Sequence, residues 1–146
     1  MVRNPMVAGA AVLALPVVLA LGACSTDRAA GGADPAQTVE TFMHAVGAKD
    51  PAAACAVVSS DGQPLAGTPL AQCRLGLEKV LADVQDPGDL DKLKAAKVTG
   101  ADVAGDKATV RKAQITGVPA DYQNDIDLLR IDGRWYIDSK TAAVAG

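Results

Sequence analysis

The chain has 146 residues, a formal net charge of −3 and only 3% aromatic residues. This length suits one compact domain with a single core. The negative charge disfavours nucleic acid and anionic lipid as partners, because both would repel the protein. The scarcity of aromatic rings also disfavours recognition of glycans or bases, which relies on stacking.

The first predicted element is an export signal over residues 1–23. Arg3 gives it a positively charged start, and the run 6–21 that follows is apolar or small throughout. An uncleaved transmembrane helix is the alternative, since about 18 apolar residues nearly span a bilayer. Pro16 within the run, and the lack of a basic cluster after Cys24, favour the cleaved signal.

Residues 21–24 read LGAC and resemble the lipobox of bacterial lipoproteins. In that family the cysteine becomes the first residue of the mature chain and carries diacylglycerol, with palmitate-type acyl chains, on its sulfur. The resemblance implies that Cys24 attaches the protein to membrane lipid. It also implies that the protein is held on the extracytoplasmic face of the cell membrane.

The chain has three cysteines, and an odd number in an exported protein needs an explanation. If lipid occupies Cys24, then Cys55 and Cys73 remain as one pair in an oxidising compartment. Their disulfide would close a loop of about 19 residues and contribute roughly 3 kcal/mol by restricting the unfolded chain. The alternative is two buried free thiols, and export favours the disulfide.

Residues 24–33 are mostly small and polar and contain the glycine pair Gly31-Gly32. This composition predicts a flexible tether with a reach of about 15–20 Å. The folded domain is then expected to span residues 34–146.

Three helices are predicted in the first half, each opened by a capping residue followed by proline. Their starts are Asp34-Pro35, Asp50-Pro51 and Thr68-Pro69, and a further helical turn is predicted for 89–96. Apolar residues recur at helical spacing and mark the buried faces. The first face comprises Val39, Phe42, Met43 and Val46, and the third comprises Leu70, Cys73, Leu77, Val80, Leu81 and Val84.

Alternating apolar residues predict antiparallel strands in the second half. A strand over 98–103 is followed by a second strand from Ala108, with a bulge near Arg111-Lys112. Asp132-Gly133 is a favoured hairpin turn. Leu129 and Ile131 precede it, Trp135 and Ile137 follow it, and Tyr136 faces the other side of the sheet. Helices followed by a meander indicate an α+β fold.

The order of a long first helix, the segments KDPAAAC and VAGDKATV, and the closing RIDGRWYI resembles the NTF2-like (cystatin-like) fold. It is most similar to the small exported lipoproteins of high-GC Gram-positive bacteria, over nearly all of residues 34–139. The resemblance implies a cone in which a curved antiparallel sheet wraps around the first helix. The candidate pocket-lining residues of such a cone are Phe42, Val46, Leu77, Leu129 and Trp135.

Few side chains offer chemistry. His44 is the sole histidine and is predicted on the solvent side of its helix, and one histidine makes neither a metal site nor a catalytic pair. The carboxylates Asp121, Asp125, Asp127 and Asp132 lack the spacing of a calcium loop. We therefore expect no catalytic residue, no metal and no cofactor.

These observations predict a non-catalytic accessory lipoprotein that binds an envelope protein or a small hydrophobic ligand, and no nucleic acid. The alternative is a cone-pocket enzyme, similar to an isomerase or hydrolase, that acts on a small lipophilic substrate. Such an enzyme needs a carboxylate and a tyrosine, Tyr122 or Tyr136, within reach of each other inside the cavity. A third reading is a structural envelope component whose cone is filled by its own side chains.

Overall fold

The computed structural model describes residues 28–119 and 124–141, so the predicted signal and Cys24 lie outside the described residues. Within those ranges the chain folds as an α+β structure with four α-helices and a mixed six-stranded sheet. The helices are α1 (Pro35–Gly47), α2 (Pro51–Cys55), α3 (Gly67–Ala82) and α4 (Pro87–Lys94). The strands are β1 (Val58–Ser60), β2 (Gln63–Pro64), β3 (Lys97–Val98), β4 (Asp102–Ala104), β5 (Lys107–Val110), β6 (Ile115–Thr116), β7 (Ile126–Ile131) and β8 (Arg134–Asp138).

The large sheet has the strand order β2-β1-β8-β7-β5-β4, and β3 pairs with β6 in a separate two-stranded ribbon. All neighbours in the large sheet run antiparallel except β1 and β8, which are parallel with Val58 opposite Ile137. The expectation of a wholly antiparallel sheet is therefore wrong. The short β1 follows α2 without a turn signal, and its partner lies about eighty positions further along the chain, so no local pattern marks this pairing.

Capping side chains fix the starts of α1 and α2 as predicted. The Oδ1 atom of Asp34 accepts from the backbone N–H of Gln37 at 2.9 Å, and Asp50 caps α2 in the same way at 3.0 Å. Helix α4 also begins with a capping aspartate followed by proline, at Asp86-Pro87. The sequence predicts only the end of the preceding helix at this position. Helix α3 begins at Gly67, two residues before the predicted start at Pro69, and has no side-chain cap.

The main core lies between α1 and the large sheet and extends to α3 and α4. Val39 and Met43 of α1 pack there against Leu128 of β7 and Ile137 of β8, and all four are buried. Helix α1 ends at Gly47 as predicted, and this glycine touches α4. A Cβ at that position would lie 2.6 Å from the carbonyl oxygen of Leu90. Glycine therefore permits the close approach of α1 and α4.

The predicted buried face of α3 is wrong at Val80, which is 53% exposed, whereas Leu70 and Leu81 are buried. Adjacent helical residues point about 100° apart, so Val80 and Leu81 do not share the centre of one buried face.

The predicted hairpin is present, with positive φ values of 52° at Asp132 and 78° at Gly133. These are the conformations that a two-residue turn of the I′ type requires. The pairing sets Leu129 opposite Tyr136 and Arg130 opposite Trp135. Because directly paired residues share a face, Leu129 lies on the Tyr136 side of the sheet and not on the Trp135 side.

The strand predicted for 98–103 is wrong as a single element. Its two ends belong to different sheets, since Val98 of β3 pairs with Ile115 and Asp102 of β4 pairs with Thr109. The predicted bulge near Arg111-Lys112 is also absent from the described residues, and a 3-10 turn over Lys112–Gln114 takes its place. Short backbone and side-chain hydrogen bonds between Arg111 and Gln114 close this turn and end β5.

Candidate functional site

The segment Arg28–Gly32, here called the docked segment, crosses the N-terminal end of β1 and joins the large sheet. The N–H of Ala29 donates to the carbonyl of Leu65 at 2.7 Å. Gly32 exchanges two backbone hydrogen bonds with Trp135, both at 2.8 Å. The flexible tether predicted for 24–33 is therefore wrong over Arg28–Gly32, because these backbone groups complete the part of β8 that β1 leaves unpaired.

The glycine pair allows the docked segment to lie flat on the domain. Gly31 has a φ of +65°, and a Cβ there would lie 2.5 Å from the ring of Tyr136. A Cβ on Gly32 would lie 2.0 Å from the hydroxyl oxygen of Thr38. The guanidinium of Arg134 adds hydrogen bonds to the carbonyls of Ala30 at 3.2 Å and Gly31 at 3.1 Å. The glycines thus serve close packing, whereas the composition had predicted flexibility.

Tyr136 is the buried side chain beneath the docked segment. Its hydroxyl donates to the carbonyl of Ala29 at 3.4 Å. Burial raises the pKa of Tyr136, although nearby Arg28 and Arg134 act in the opposite direction. The phenol therefore stays protonated at neutral pH and acts as a hydrogen-bond donor to the backbone.

The predicted disulfide is present and joins α2 to α3. Cys55 and Cys73 are bonded with their Cα atoms 6.1 Å apart. Cys55 belongs to a second core, separate from the main one, that also holds Tyr136 and receives Ala29 of the docked segment. The disulfide therefore stabilises the platform on which the docked segment rests.

The five candidate pocket-lining residues do not all lie on one side of the large sheet. Trp135 is 5% exposed and belongs to the main core, and Phe42, Val46 and Leu77 are half-buried and pack against that core. Leu129 lies on the other face of the sheet from Trp135. The apolar surfaces of Trp135, Phe42, Val46 and Leu77 are used for packing within the domain.

One described cleft, of about 250 Å³, lies between the C-terminal end of α1 and α4. It contains none of the five candidate residues, and its charged side chains include Lys94 and Asp91, which pair with each other at 3.2 Å. Its lining residues are Gly47, Ala48, Lys49, Val84, Pro87, Leu90, Asp91 and Lys94.

His44 is not the solvated side chain that the helical pattern predicts. It is half-buried, and its Nε2 atom lies 2.8 Å from the carbonyl oxygen of Ala96. That nitrogen carries a proton, because a carbonyl only accepts. The chain leading from α4 into β3 covers this side of α1, a tertiary contact that helical spacing alone does not reveal.

Glu40 fastens the same side of α1 to β3. Its carboxylate accepts from the backbone N–H of Val98 at 3.0 Å and from the Lys97 ammonium at 3.1 Å. The hydrogen bond from the Val98 backbone has the largest effect and holds the pKa of Glu40 below its ordinary value, and Lys97 and His44 lower that pKa further. Partial desolvation acts in the opposite direction and raises the pKa.

Replacing Glu40 with glutamine is expected to lower the free energy of unfolding at neutral pH by about 1–2 kcal/mol, because the negative charge that strengthens the hydrogen bonds from Val98 and Lys97 is lost. The folded-state pKa is depressed, so this contribution exists above the unfolded pKa and disappears as pH falls through the folded pKa. Urea titrations at neutral and acidic pH check this. The exposed Glu78→Gln change is the control, and a Glu40→Gln deficit that persists fully in acid would contradict the assignment.

The part of the chain that the structure describes contains neither a cluster of potential metal ligands nor a membrane-spanning helix. No group of three histidine, cysteine or acidic side chains there is arranged to hold a metal ion. None of the helices in residues 28–119 and 124–141 is long and apolar enough to cross a membrane. Asp121 and Tyr122 lie outside the described residues.

Comparisons with protein-family models, curated proteins and solved structures found no match.

Proposed function

We propose that this protein is an extracytoplasmic lipoprotein, anchored to the cell membrane through diacylglycerol on Cys24, that acts as a non-catalytic accessory module. The observation that carries the proposal is the disulfide between Cys55 and Cys73. It uses two of the three cysteines and leaves Cys24, the one that follows Leu-Gly-Ala at the end of an apolar run. Disulfides of this kind are typical of oxidising compartments outside the cytoplasm, which supports export.

We also propose that the domain is of the NTF2-like type. Support comes from the long α1, which packs across β5 and β8, and from the closing Asp132-Gly133 hairpin. Both features belong to the order of elements on which the resemblance rests.

A protein partner suits this module better than a hydrophobic ligand. The apolar side chains that would line a ligand cavity, Trp135 and its neighbours Phe42, Val46 and Leu77, contribute to the packed main core. Binding through the outer surface needs no such cavity. Tyr136, one of the two tyrosines that a pocket enzyme would use, is engaged by the backbone carbonyl of Ala29, so we do not adopt the enzyme alternative.

Replacing Cys24 with alanine is expected to abolish incorporation of radiolabelled palmitate, because the proposed acceptor sulfur is removed. The measurement is autoradiography of the protein captured from cells that are fed the label. The matched control carries Cys55→Ala and Cys73→Ala and should keep its label, since the signal and Cys24 are unchanged. Label that persists in Cys24→Ala would refute the anchor.

A further inference from the structure

We propose that one end of the large sheet rests on the phospholipid headgroups of the membrane. This end, here called the anchor end, comprises Arg28, the turn 105–106 between β4 and β5, and the turn 132–133 between β7 and β8. The inference rests on the proposed function, because it needs the lipid on Cys24. Beyond the proposed function, it identifies the surface of the domain that meets the membrane.

Only a short length of chain connects the lipid on Cys24 to the fold. Arg28 already contacts the domain, through its pairing with Ala66 and its ion pair with Asp132 at 3.7 Å. Four residue steps separate it from Cys24, and they span at most about 14 Å when fully extended. A domain of this size has a radius of gyration of about 13 Å. The connection is therefore too short for the domain to turn over, and the surface around Arg28 must face the lipid.

The two ends of the large sheet differ in their balance of charge. At the opposite end, here called the far end, β8 finishes at Asp138 and β7 begins at Ile126. The anchor end carries more basic than acidic side chains, Arg28, Lys107, Arg130 and Arg134 against Asp106 and Asp132. The far end carries more acidic than basic side chains. The acidic residues are Asp61, Asp102, Asp125, Asp127 and Asp138, and the basic residues are Arg111, Lys112 and Lys140.

Hydrogen bonds and ion pairs hold the basic groups of the anchor end in place while leaving them open to solvent. Arg130 pairs with Asp106 at 2.9 Å and also lies over the ring of Trp135, and its side chain remains 45% exposed. Arg28 remains 57% exposed in its pair with Asp132. Each basic residue near an anionic membrane surface contributes about 1 kcal/mol of attraction. The local surplus at the anchor end thus favours lipid contact, although the net charge of the whole chain is negative.

Site-specific quenching tests the orientation on the full-length lipidated protein. The native cysteines are occupied by lipid and by the disulfide, so one added cysteine can be labelled selectively. Ala104→Cys places a fluorophore at the anchor end and Lys140→Cys places one at the far end, and both positions are exposed. The strand register sets Ala104 level with Tyr136, so at most four residues of β8 and the turn after it, at most about 13 Å, separate the two levels. The protein is reconstituted into equimolar phosphatidylcholine and phosphatidylglycerol that contains a headgroup-nitroxide lipid.

We expect quenching at residue 104 to exceed that at residue 140 several-fold. Equal quenching at the two positions, or stronger quenching at residue 140, would overturn the proposal. The mass of each labelled protein is measured before reconstitution. A protein without lipid would refute the proposed anchor and this inference together, whereas a lipidated protein with equal quenching would refute only the orientation.

A linker variant isolates the effect of chain length. About ten glycine and serine residues inserted after Asp27 extend the connection by roughly 15–20 Å and should reduce the difference between the two positions. A difference that is unchanged by the insertion would contradict the argument from chain length.

Discussion

Replacing Gly31 with alanine is expected to lower the free energy of unfolding by about 2–4 kcal/mol. The left-handed conformation at φ +65° costs a non-glycine residue about 1–2 kcal/mol. The new methyl group would also overlap the buried ring of Tyr136, and overpacking of this kind costs about 1–3 kcal/mol. Urea titration followed by Trp135 fluorescence measures the change.

Gly62→Ala is the matched control for this prediction. Gly62 has a similar φ of +75°, but a Cβ there meets nothing within 4 Å. The Gly62→Ala protein should therefore lose only the free energy of unfolding that the strained backbone conformation costs. The additional loss in Gly31→Ala reports the overlap with Tyr136. A Gly31→Ala protein as stable as the wild type would mean that this part of the chain is a free tether.

Reducing the Cys55–Cys73 disulfide is expected to lower the free energy of unfolding by about 3 kcal/mol, because a loop of about 19 residues is released in the unfolded chain. The effect should reach the docked segment, since Cys55 and Ala29 share the second core. Urea titrations with and without a phosphine reductant measure the stability. Hydrogen exchange at the amides of Ala29 and Gly32 measures the local effect and should become faster on reduction.

The variant with both Cys55→Ala and Cys73→Ala is the control for the reductant. Its unfolding midpoint should be lower than that of the oxidised wild type and should not respond to the phosphine. A wild-type midpoint that is the same in both redox conditions would show that the disulfide adds nothing to stability.

The starts of α1 and α2 and the final hairpin could be predicted because their signals are local. Asp34 and Asp50 cap helices through side-chain hydrogen bonds that span three residues. Asp132-Gly133 supplies both positive φ values of its own turn. Such features depend on neighbouring residues alone, so tertiary context has little scope to override them.

The prediction that Leu129 shares a face with Trp135 is wrong, although the hairpin turn itself determines the face of Leu129. A two-residue turn pairs Ile131 with Arg134, so each odd-numbered residue of β7 lies opposite an even-numbered residue of β8. Leu129 therefore shares a face with Tyr136, and it is Leu128 that pairs with Ile137. The predicted two-residue turn therefore fixes which residues of β7 and β8 lie opposite each other.

The docked segment and β1 could not be predicted, for a different reason. After Arg28 the docked segment is made of small residues with no alternation, and its partners Leu65 and Trp135 lie far along the chain. Strand β1 is defined by its parallel partner β8. His44 belongs to the same class, because its contact with Ala96 depends on how α4 leads into β3. Nothing near these residues in the sequence indicates their partners.

The most direct test of the account is the intact mass of the protein purified without reductant from the membrane fraction of its host. We predict a chain that begins at Cys24, carries the added mass of diacylglycerol and lacks two hydrogens because Cys55 and Cys73 are joined. A chain that retains residues 1–23, or one in which Cys24 is unmodified, would contradict the account.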